Sequence, residues 1–371
     1  MKSDPAFSFF LARRGHCLVR PCTLDVDFLL LRIGVNQRRL AVSLFTLLSL
    51  FFFGCWEVAA QVPGALDQVD SAQHRRKAEQ SAHSGVQDGD TAPELFPGES
   101  SDIGPQSVLR MKARKTWFEA LADVQYFYTD NMFLTEHNKQ ETGVLLSTAQ
   151  FALAPTAYDL GPGRFSPRIG YRHQWYDFGL DGAKFDGSTL RLKEFDFNAQ
   201  TAFTDGQWSH ENWILEAGFD FTRLMSTPSY DEFYKEYVPR WGVQRLFPLD
   251  DKTVISLGYE GDYRFSKGDV FFDNDFKDRT DHSFFALCTR TLCQYAVIQP
   301  YYRFKYTRFT SNTDRQDYLH SLGVALYCFF TPNISLRGFV SYDIKDSDGR
   351  NQGQDYRRLD AGGGLNVTVR F

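Results

Sequence analysis

Residues 356–371 read YRRLDAGGGLNVTVRF and end on an aromatic residue. Apolar residues and glycines alternate with polar residues along this stretch. One face carries Leu359, Ala361, Gly363, Leu365, Val367, Val369 and Phe371, and the other carries Asp360, Asn366, Thr368 and Arg370. Because side chains on a strand point alternately to opposite sides, a period of two predicts a β-strand with one apolar and one polar face.

The same alternation recurs from residue 117 onward, in about twelve strand-length segments separated by turn residues. The predicted segments are 117–129, 143–154, 165–178, 189–203, 213–224, 232–247, 253–265, 282–292, 295–309, 318–330, 334–345 and 356–371. An even number of alternating strands is typical of bacterial transmembrane barrels. The sequence therefore predicts an all-β fold, an antiparallel transmembrane β-barrel over residues 116–371.

The connections between these segments are of two kinds. Short turns are predicted at 204–207, 248–251, 289–292 and 331–333, and longer polar loops at 130–142, 181–188, 266–281 and 346–354. Short turns on one rim and long loops on the other are typical of the periplasmic and extracellular sides of such a barrel.

Bulk composition is compatible with this interpretation. The chain has 371 residues and a net charge of −5, and its mean hydropathy is negative, as in many soluble proteins. A membrane barrel has a similar average, because only every second residue of a strand faces lipid. The 35 Phe, 18 Tyr and 6 Trp are suited to aromatic girdles at the membrane interfaces. Without a basic run, nucleic acid is not an expected partner.

The N-terminal region divides into three predicted parts. Residues 1–35 are interpreted as an extension from a start site set too early. Residues 36–60 have the charged start, apolar core and small-residue cleavage site of a signal peptide. A membrane anchor, and a lipoprotein box at 52–55, are the alternatives. Residues 61–115, rich in Gln, Ser, Asp, Gly and Pro, are predicted to be a disordered periplasmic linker.

The polar face of the predicted strands carries charges of both signs. The predicted pore-lining residues are Arg172, Glu194, Asp196, Glu216, Asp220, Arg240, Glu260, Asp262, Arg264, Arg303, Lys305, Arg337, Asp343 and Arg370. Charged rings of this kind favour the passage of ions or small polar solutes through an open or gated pore. The alternative is that opposite charges pair and fill a narrow interior.

Two smaller predictions concern cysteine and catalysis. Cys288 and Cys293 bracket the predicted turn at 289–292, so they either form a disulfide across a hairpin or remain free thiols. Ser321 and His320 are the nearest candidates for a catalytic pair, but adjacent residues on a strand point to opposite faces. We therefore predict no catalytic residues and no enzyme. No cofactor and no metal site are predicted either, because the acidic residues of the longest loop lack the spacing of a calcium loop.

Two motifs carry a resemblance to known proteins. The final strand, ending on Phe371, resembles the closing strand of Gram-negative outer-membrane β-barrels, whose terminal aromatic residue is read by the barrel-assembly machinery. Residues 128–135, YTDNMFLT, resemble the opening hairpin of uncharacterised β-barrel porin families with a Tyr-x-Asp-Asn-x-Phe pattern.

The resemblance implies the outer membrane of a diderm bacterium, with lipid and lipopolysaccharide around the barrel. It also implies a porin-like role, the passive diffusion of small hydrophilic solutes. The alternative function is a non-conducting surface barrel, an adhesin or a structural scaffold, and a lipid hydrolase is a more distant alternative.

Overall fold

The structure is a computed structural model that describes residues 65–79 and 116–371, apart from 181, 183–190, 228, 269–277, 311–314 and 349–354. The predicted N-terminal extension and signal peptide lie outside the described residues. So do residues 61–64 and 80–115 of the predicted linker.

Antiparallel strands make up most of the described chain. In order they are β1 (Phe118–Thr129), β2 (Thr142–Leu153), β3 (Tyr158–Leu160), β4 (Gly163–Phe178), β5 (Phe197–His210), β6 (Trp213–Ser226), β7 (Glu232–Asp250), β8 (Thr253–Gly268), β9 (Arg279–Cys293), β10 (Ala296–Phe309), β11 (Gln316–Thr331), β12 (Ile334–Asp348) and β13 (Tyr356–Arg370).

The wall of the barrel has twelve strands and is closed. Strand β1 pairs with β2 on one side and with β13 on the other, and β2 pairs with β4. The three-residue β3 pairs only with β4, so it forms a small hairpin beside the wall. Closure gives each of the twelve wall strands a partner on both sides, which a sheet surrounded by lipid requires.

Side chains alternate across this wall as the sequence predicts. On β1, Val124 and Tyr126 are about half exposed, whereas Asp123 and Gln125 are buried. On β11, Leu322 is 62% exposed and its neighbour Ser321 is buried. Apolar side chains therefore cover the outside of the barrel, and polar side chains fill the inside.

The short connections lie on one rim of the barrel and most of the long ones on the other, although two of the predicted turns fall within strands. Tight turns occur at 211–212, 251–252, 294–295 and 332–333, between paired strands. The predicted turns at 204–207 and 289–292 are wrong, because these residues continue β5 and β9. At the turn after β7, Asp250 accepts a hydrogen bond from the Lys252 N–H at 2.8 Å, which lowers the pKa of this exposed carboxyl.

The start of the fourth predicted strand also differs from the structure. Residues Leu192–Phe195 form a 3-10 turn in which Leu192 and Phe195 are buried, and β5 begins only at Phe197. Packing of two large apolar side chains on the same side of the turn replaces the predicted alternation there.

The largest difference lies in the predicted linker. Residues 65–79, ALDQVDSAQHRRKAE, form an α-helix, which we call α1. Among the described residues, no helix is long and apolar enough to cross a membrane.

Candidate luminal site

Helix α1 lies in the lumen, because side chains from strands all around the wall reach it. Near its N-terminus, Tyr356 donates a hydrogen bond to Asp67, and Arg358 donates one to Ser71. At its C-terminus, Ser335 donates a hydrogen bond to Glu79. Since Tyr356 begins β13 at the long-loop rim and Ser335 lies next to a short turn, α1 runs from the long-loop end towards the short-turn end.

Asp70 is the main charged contact of the N-terminal half of α1. Its carboxylate lies 2.8 Å from Lys305 Nζ, 3.0 Å from Arg264 Nη2 and 3.6 Å from Arg303 Nη1. Arg264 belongs to β8, and the other two cations belong to β10. The side chain of Asp70 is only 10% exposed, so these attractions act with little screening by water.

The C-terminal half of α1 is held by a second contact to β8 and by contacts to two further strands, β6 and β12. Lys77 Nζ lies 2.8 Å from Glu260 and 3.7 Å from Glu216, on β8 and β6. Glu79 pairs with Arg337 of β12, which also binds Asp123 at 3.0 Å. Asp67 and Asp70 near the N-terminus of α1, and Arg75, Arg76 and Lys77 in its C-terminal half, also complement the helix dipole, whereas the terminal Glu79 does not.

An apolar cluster joins the N-terminal half of α1 to the barrel. The helix contributes Ala65, Leu66, Val69 and Ala72, and the wall and its loops contribute residues such as Phe127, Met132, Phe178 and Phe197. The loop after β1 thus folds inward, because Met132 is 4% exposed and belongs to this cluster. Helix and loop together fill the long-loop end of the lumen.

The Tyr-x-Asp-Asn-x-Phe motif fixes this inward loop. Asn131 is fully buried, and its Nδ2 donates hydrogen bonds to the Thr135 carbonyl at 2.7 Å and the Arg357 carbonyl at 3.0 Å. Asp130 accepts a hydrogen bond from the Leu359 N–H at 2.7 Å. The motif therefore ties the first long loop to β13, the strand that closes the barrel.

Most of the predicted pore-lining residues point into the lumen and meet one another there. Arg240 binds Asp205 at 3.3 Å, Asp220 at 3.3 Å, and Glu216. Arg264 binds Asp262 at 3.0 Å, and Arg358 binds Asp343 at 2.6 Å. The remaining inward residues of the predicted set are Arg172, Glu260, Arg303, Lys305 and Arg337.

Three residues of the predicted set lie outside this network. Glu194 is exposed in the 3-10 turn before β5. Asp196 is buried at the end of that turn, where it accepts a hydrogen bond from the Phe178 N–H at 2.7 Å. Arg370 is 63% exposed at the short-turn rim, where its Nε donates to Glu119 at 3.0 Å. Glu194 and Asp196 were assigned by extending an alternation that begins only at Phe197.

Of the two alternatives for Cys288 and Cys293, a disulfide across a hairpin or free thiols, the structure has the free thiols. Both residues lie on β9. Five residues of extended strand separate their Cα atoms by roughly 16 Å, whereas a disulfide needs them within about 7 Å. The hairpin turn follows Cys293 instead of lying between the two cysteines.

The residues weighed for catalysis are separated as predicted. His320 lies on the outer side of the wall and shares a hydrogen bond of 2.8 Å with the Tyr302 hydroxyl. Ser321 is buried on the inner side. They therefore cannot act as a nucleophile and its base.

Sequence reasoning missed the luminal contacts of α1, because the segments around the helix are rich in Gln, Ser, Gly and Asp. A helical signal was nevertheless present. Ala65, Val69 and Ala72 follow the i, i+4, i+7 spacing of one helix face, with Leu66 beside Ala65. Asp67 and Asp70 also precede Arg75, Arg76 and Lys77 along the segment.

Phe371 lies at the seam where the barrel closes. Its carbonyl accepts hydrogen bonds from the N–H groups of Trp117 and Phe118, and its ring stacks on that of Phe118 with a centroid distance of 5.8 Å. The last residue of the chain is thus part of the β1–β13 closure.

Twelve antiparallel strands form a closed wall, which is apolar on the outside and charged on the inside. The chain is a β-barrel of the outer-membrane type. Such a barrel is the only way for strands to span lipid with all backbone groups paired.

Comparisons with known proteins add distant similarities. No protein-family model and no curated protein matches the chain, so the finer resemblance to the uncharacterised porin families stays a prediction. Similar solved structures include an outer-membrane channel from Pseudomonas putida F1, with 12% identity, a TM-score of 0.43, and coverage of 74% of this chain and 100% of that one. The β domain of the Bordetella autotransporter BrkA has 11% identity and a TM-score of 0.42, over 69% of this chain and 100% of its own. The KdgM porin has 12% identity and a TM-score of 0.34, over 67% and 98%. At these scores the similarities carry no argument about function.

Proposed function

We propose that this protein is a porin-like channel that is closed by its own helix α1 and passes small hydrophilic solutes when α1 leaves the lumen. The observation that carries the proposal is the polar character of the contacts between α1 and the wall. Asp70, Lys77 and Glu79 each bind side chains that would otherwise face a water-filled channel.

Barrel size supports a channel that needs a plug. The width of a barrel grows with the number of strands, and eight strands leave room only for side chains or one small ligand. Twelve strands enclose more space, and here much of that space is taken by α1. Without the helix, the remaining lining would be the inward charges of the predicted set, which suit small polar solutes.

A non-conducting scaffold is the second candidate, and one observation favours it. Leu66 and Val69 of α1 are buried in the apolar cluster, and each such side chain stabilises docking by about 1.5–3 kcal/mol. A helix held by both charges and apolar packing is suited to permanent residence in the lumen.

Single-channel conductance in planar bilayers tests the proposal. We expect the refolded wild-type protein to be closed for most of the time, with rare current steps. A variant with Asp70→Asn and Glu79→Gln keeps every wall charge but weakens α1, so we expect frequent and long openings. The matched control is Glu232→Gln, which removes a carboxylate whose ion pairs lie on the long-loop rim.

The outcomes separate the two candidates. Inserted protein that gives no current in the wild type or in the double variant would favour the scaffold. Wild-type protein that is open as often as the double variant would show that α1 is not a plug.

Assembly through recognition of Phe371 belongs to the same proposal, and Phe371→Ala is expected to reduce the amount of folded barrel in the outer membrane.

A further inference from the structure

The lumen is not filled evenly. A cavity of about 680 Å³ lies at its short-turn end, below the last turn of α1, and reaches the rim beside Pro332 and Asn333. Sites for small molecules in proteins have volumes of about 300–1,000 Å³. The lining includes Arg76 of α1 and Arg172 of β4.

These two arginines are buried. Arg76 is 6% exposed and Arg172 is 9% exposed. Arg76 donates one hydrogen bond, from Nη2 to the Thr148 hydroxyl at 2.8 Å, while its Nε and Nη1 have no hydrogen-bond partner. The Nε of Arg172 has none either. Within the part of the chain that the structure describes, neither guanidinium forms an ion pair with a carboxylate.

Neighbouring carboxylates are already bound to other cations. Asp123 is held by Arg337 at 3.0 Å. Asp205 accepts hydrogen bonds from Arg168 at 2.9 and 3.1 Å. Asp220 binds Arg240 at 3.3 Å. Among the described residues that line the cavity, these two guanidinium groups are therefore the buried positive charges without a carboxylate partner.

A buried charge without a partner is costly, and a bound ion of opposite sign removes that cost. The planar guanidinium group donates parallel hydrogen bonds that match the two oxygens of a carboxylate or a phosphate. The ring of Phe203 lies 5.6 Å from the guanidinium carbon of Arg172 and supports its position at the cavity wall.

We propose that Arg76 and Arg172 form a binding site for an oxyanion, the carboxylate or phosphate group of a small solute that enters the lumen from the short-turn rim. One ligand is held between the plug helix and the wall, so binding also stabilises the docked position of α1. The site does not depend on conduction, because an anion can bind in a lumen that stays closed.

Calorimetric titration of the refolded full chain in detergent tests this site. The two probes are inorganic phosphate and acetate, each titrated at constant ionic strength. We expect saturable binding of at least one probe to the wild type. Arg172→Met and Arg76→Met should each weaken it by about tenfold or more, since hydrogen bonds to charged groups are worth that much.

A matched control is available in the same cavity. Arg164 also lines it but is exposed, so Arg164→Met makes the same change of charge and should leave the affinity within about twofold. Arg172→Met keeps the helix sequence intact, which guards against a loss of α1 docking in Arg76→Met. A third variant, Arg172→Lys, keeps the positive charge but lacks the planar group that donates two parallel hydrogen bonds, so it should bind the probe with intermediate affinity.

The outcomes are decisive for the site alone. Preference for phosphate or for acetate identifies the oxyanion, and both results support the site. No saturable heat with either probe, or an affinity that Arg76→Met and Arg172→Met leave unchanged, would overturn it. If the wild type binds the probe, and neither it nor the variant with Asp70→Asn and Glu79→Gln gives current in a bilayer, the channel is refuted and the site is kept.

Discussion

At the residue level, ion pairs in this barrel differ in what they contribute because they differ in burial. Asp70 is enclosed by three cations. Glu232 lies at the long-loop rim, where it binds Lys235 and Arg223, and about a third of its side chain is exposed. Breaking a buried pair leaves uncompensated charge, whereas an exposed pair is screened by water and salt.

Asp70→Asn is therefore expected to weaken docking of α1 by about 3–5 kcal/mol. The helix carries Arg75, Arg76 and Lys77, which trypsin can cleave only when α1 leaves the lumen. The measurement is the rate of tryptic cleavage within α1 in the folded barrel, which should rise at least about a hundredfold. Glu232→Gln should change that rate by less than about fivefold. Equal rates in the two variants would contradict a role for Asp70 in holding the helix.

At the level of elements, closure of the barrel depends on how closely β13 approaches β1. Gly362 of β13 pairs with Phe127 of β1. A Cβ atom added at Gly362 would overlap the Phe127 Cβ and the Tyr126 carbonyl oxygen. The carbonyl oxygen belongs to the backbone and the Cβ atom is bonded directly to it, so rotation of a side chain cannot move either atom away. This position therefore requires glycine.

Gly362→Ala is expected to destabilise the seam by about 1–3 kcal/mol, the usual cost of overpacking. The control is Gly338→Ala on β12, where an added Cβ meets nothing within 4 Å. Urea titration of refolded protein, with the folded fraction read from heat-modifiable migration in a detergent gel, compares the two. A midpoint as low for Gly338→Ala as for Gly362→Ala would mean that the close approach is not the cause.

The strands could be predicted from sequence, and α1 was not, for a physical reason. Alternation along a strand is a local pattern that one apolar environment, the lipid, imposes on every segment. Helix α1 is surrounded by the charged inner wall, so Asp70, Lys77 and Glu79 resemble the residues of a solvated linker. Their partners lie on β6, β8, β10 and β12, and that proximity exists only after the barrel has closed.

Turn positions were predicted less well than strands for a related reason. Gly206 suggested a turn at 204–207, but it lies within β5, where the ring of Phe165 from β4 covers its face. The turn predicted at 289–292 would have placed Cys288 and Cys293 across a hairpin, which made a disulfide one of the two alternatives for them. A glycine within a barrel strand can therefore mark a close approach of the neighbouring strand instead of a turn.

At the level of the whole molecule, the two rims define which way the barrel faces. The long loops and the N-terminal end of α1, next to Tyr356, lie on one rim. Cys293, the N-terminal end of β1, the C-terminal end of β13 and the 332–333 turn lie on the other. In barrels of this class the long loops face outward. The proposed oxyanion cavity would then open towards the periplasm.

Cysteine labelling in cells tests this orientation. In a background whose other cysteines are replaced by serine, native Cys293 reports on the short-turn rim, where it is exposed. His137→Cys reports on the first long loop, where the His137 side chain is 83% exposed. A membrane-impermeant maleimide should label residue 137 in intact cells and residue 293 only after the outer membrane is permeabilised. Both thiols are accessible in the refolded protein, so purified protein in detergent gives the common reference. If Cys293 alone were labelled in intact cells, the orientation of the barrel would be opposite to the one assigned, and the oxyanion cavity would open at the cell surface.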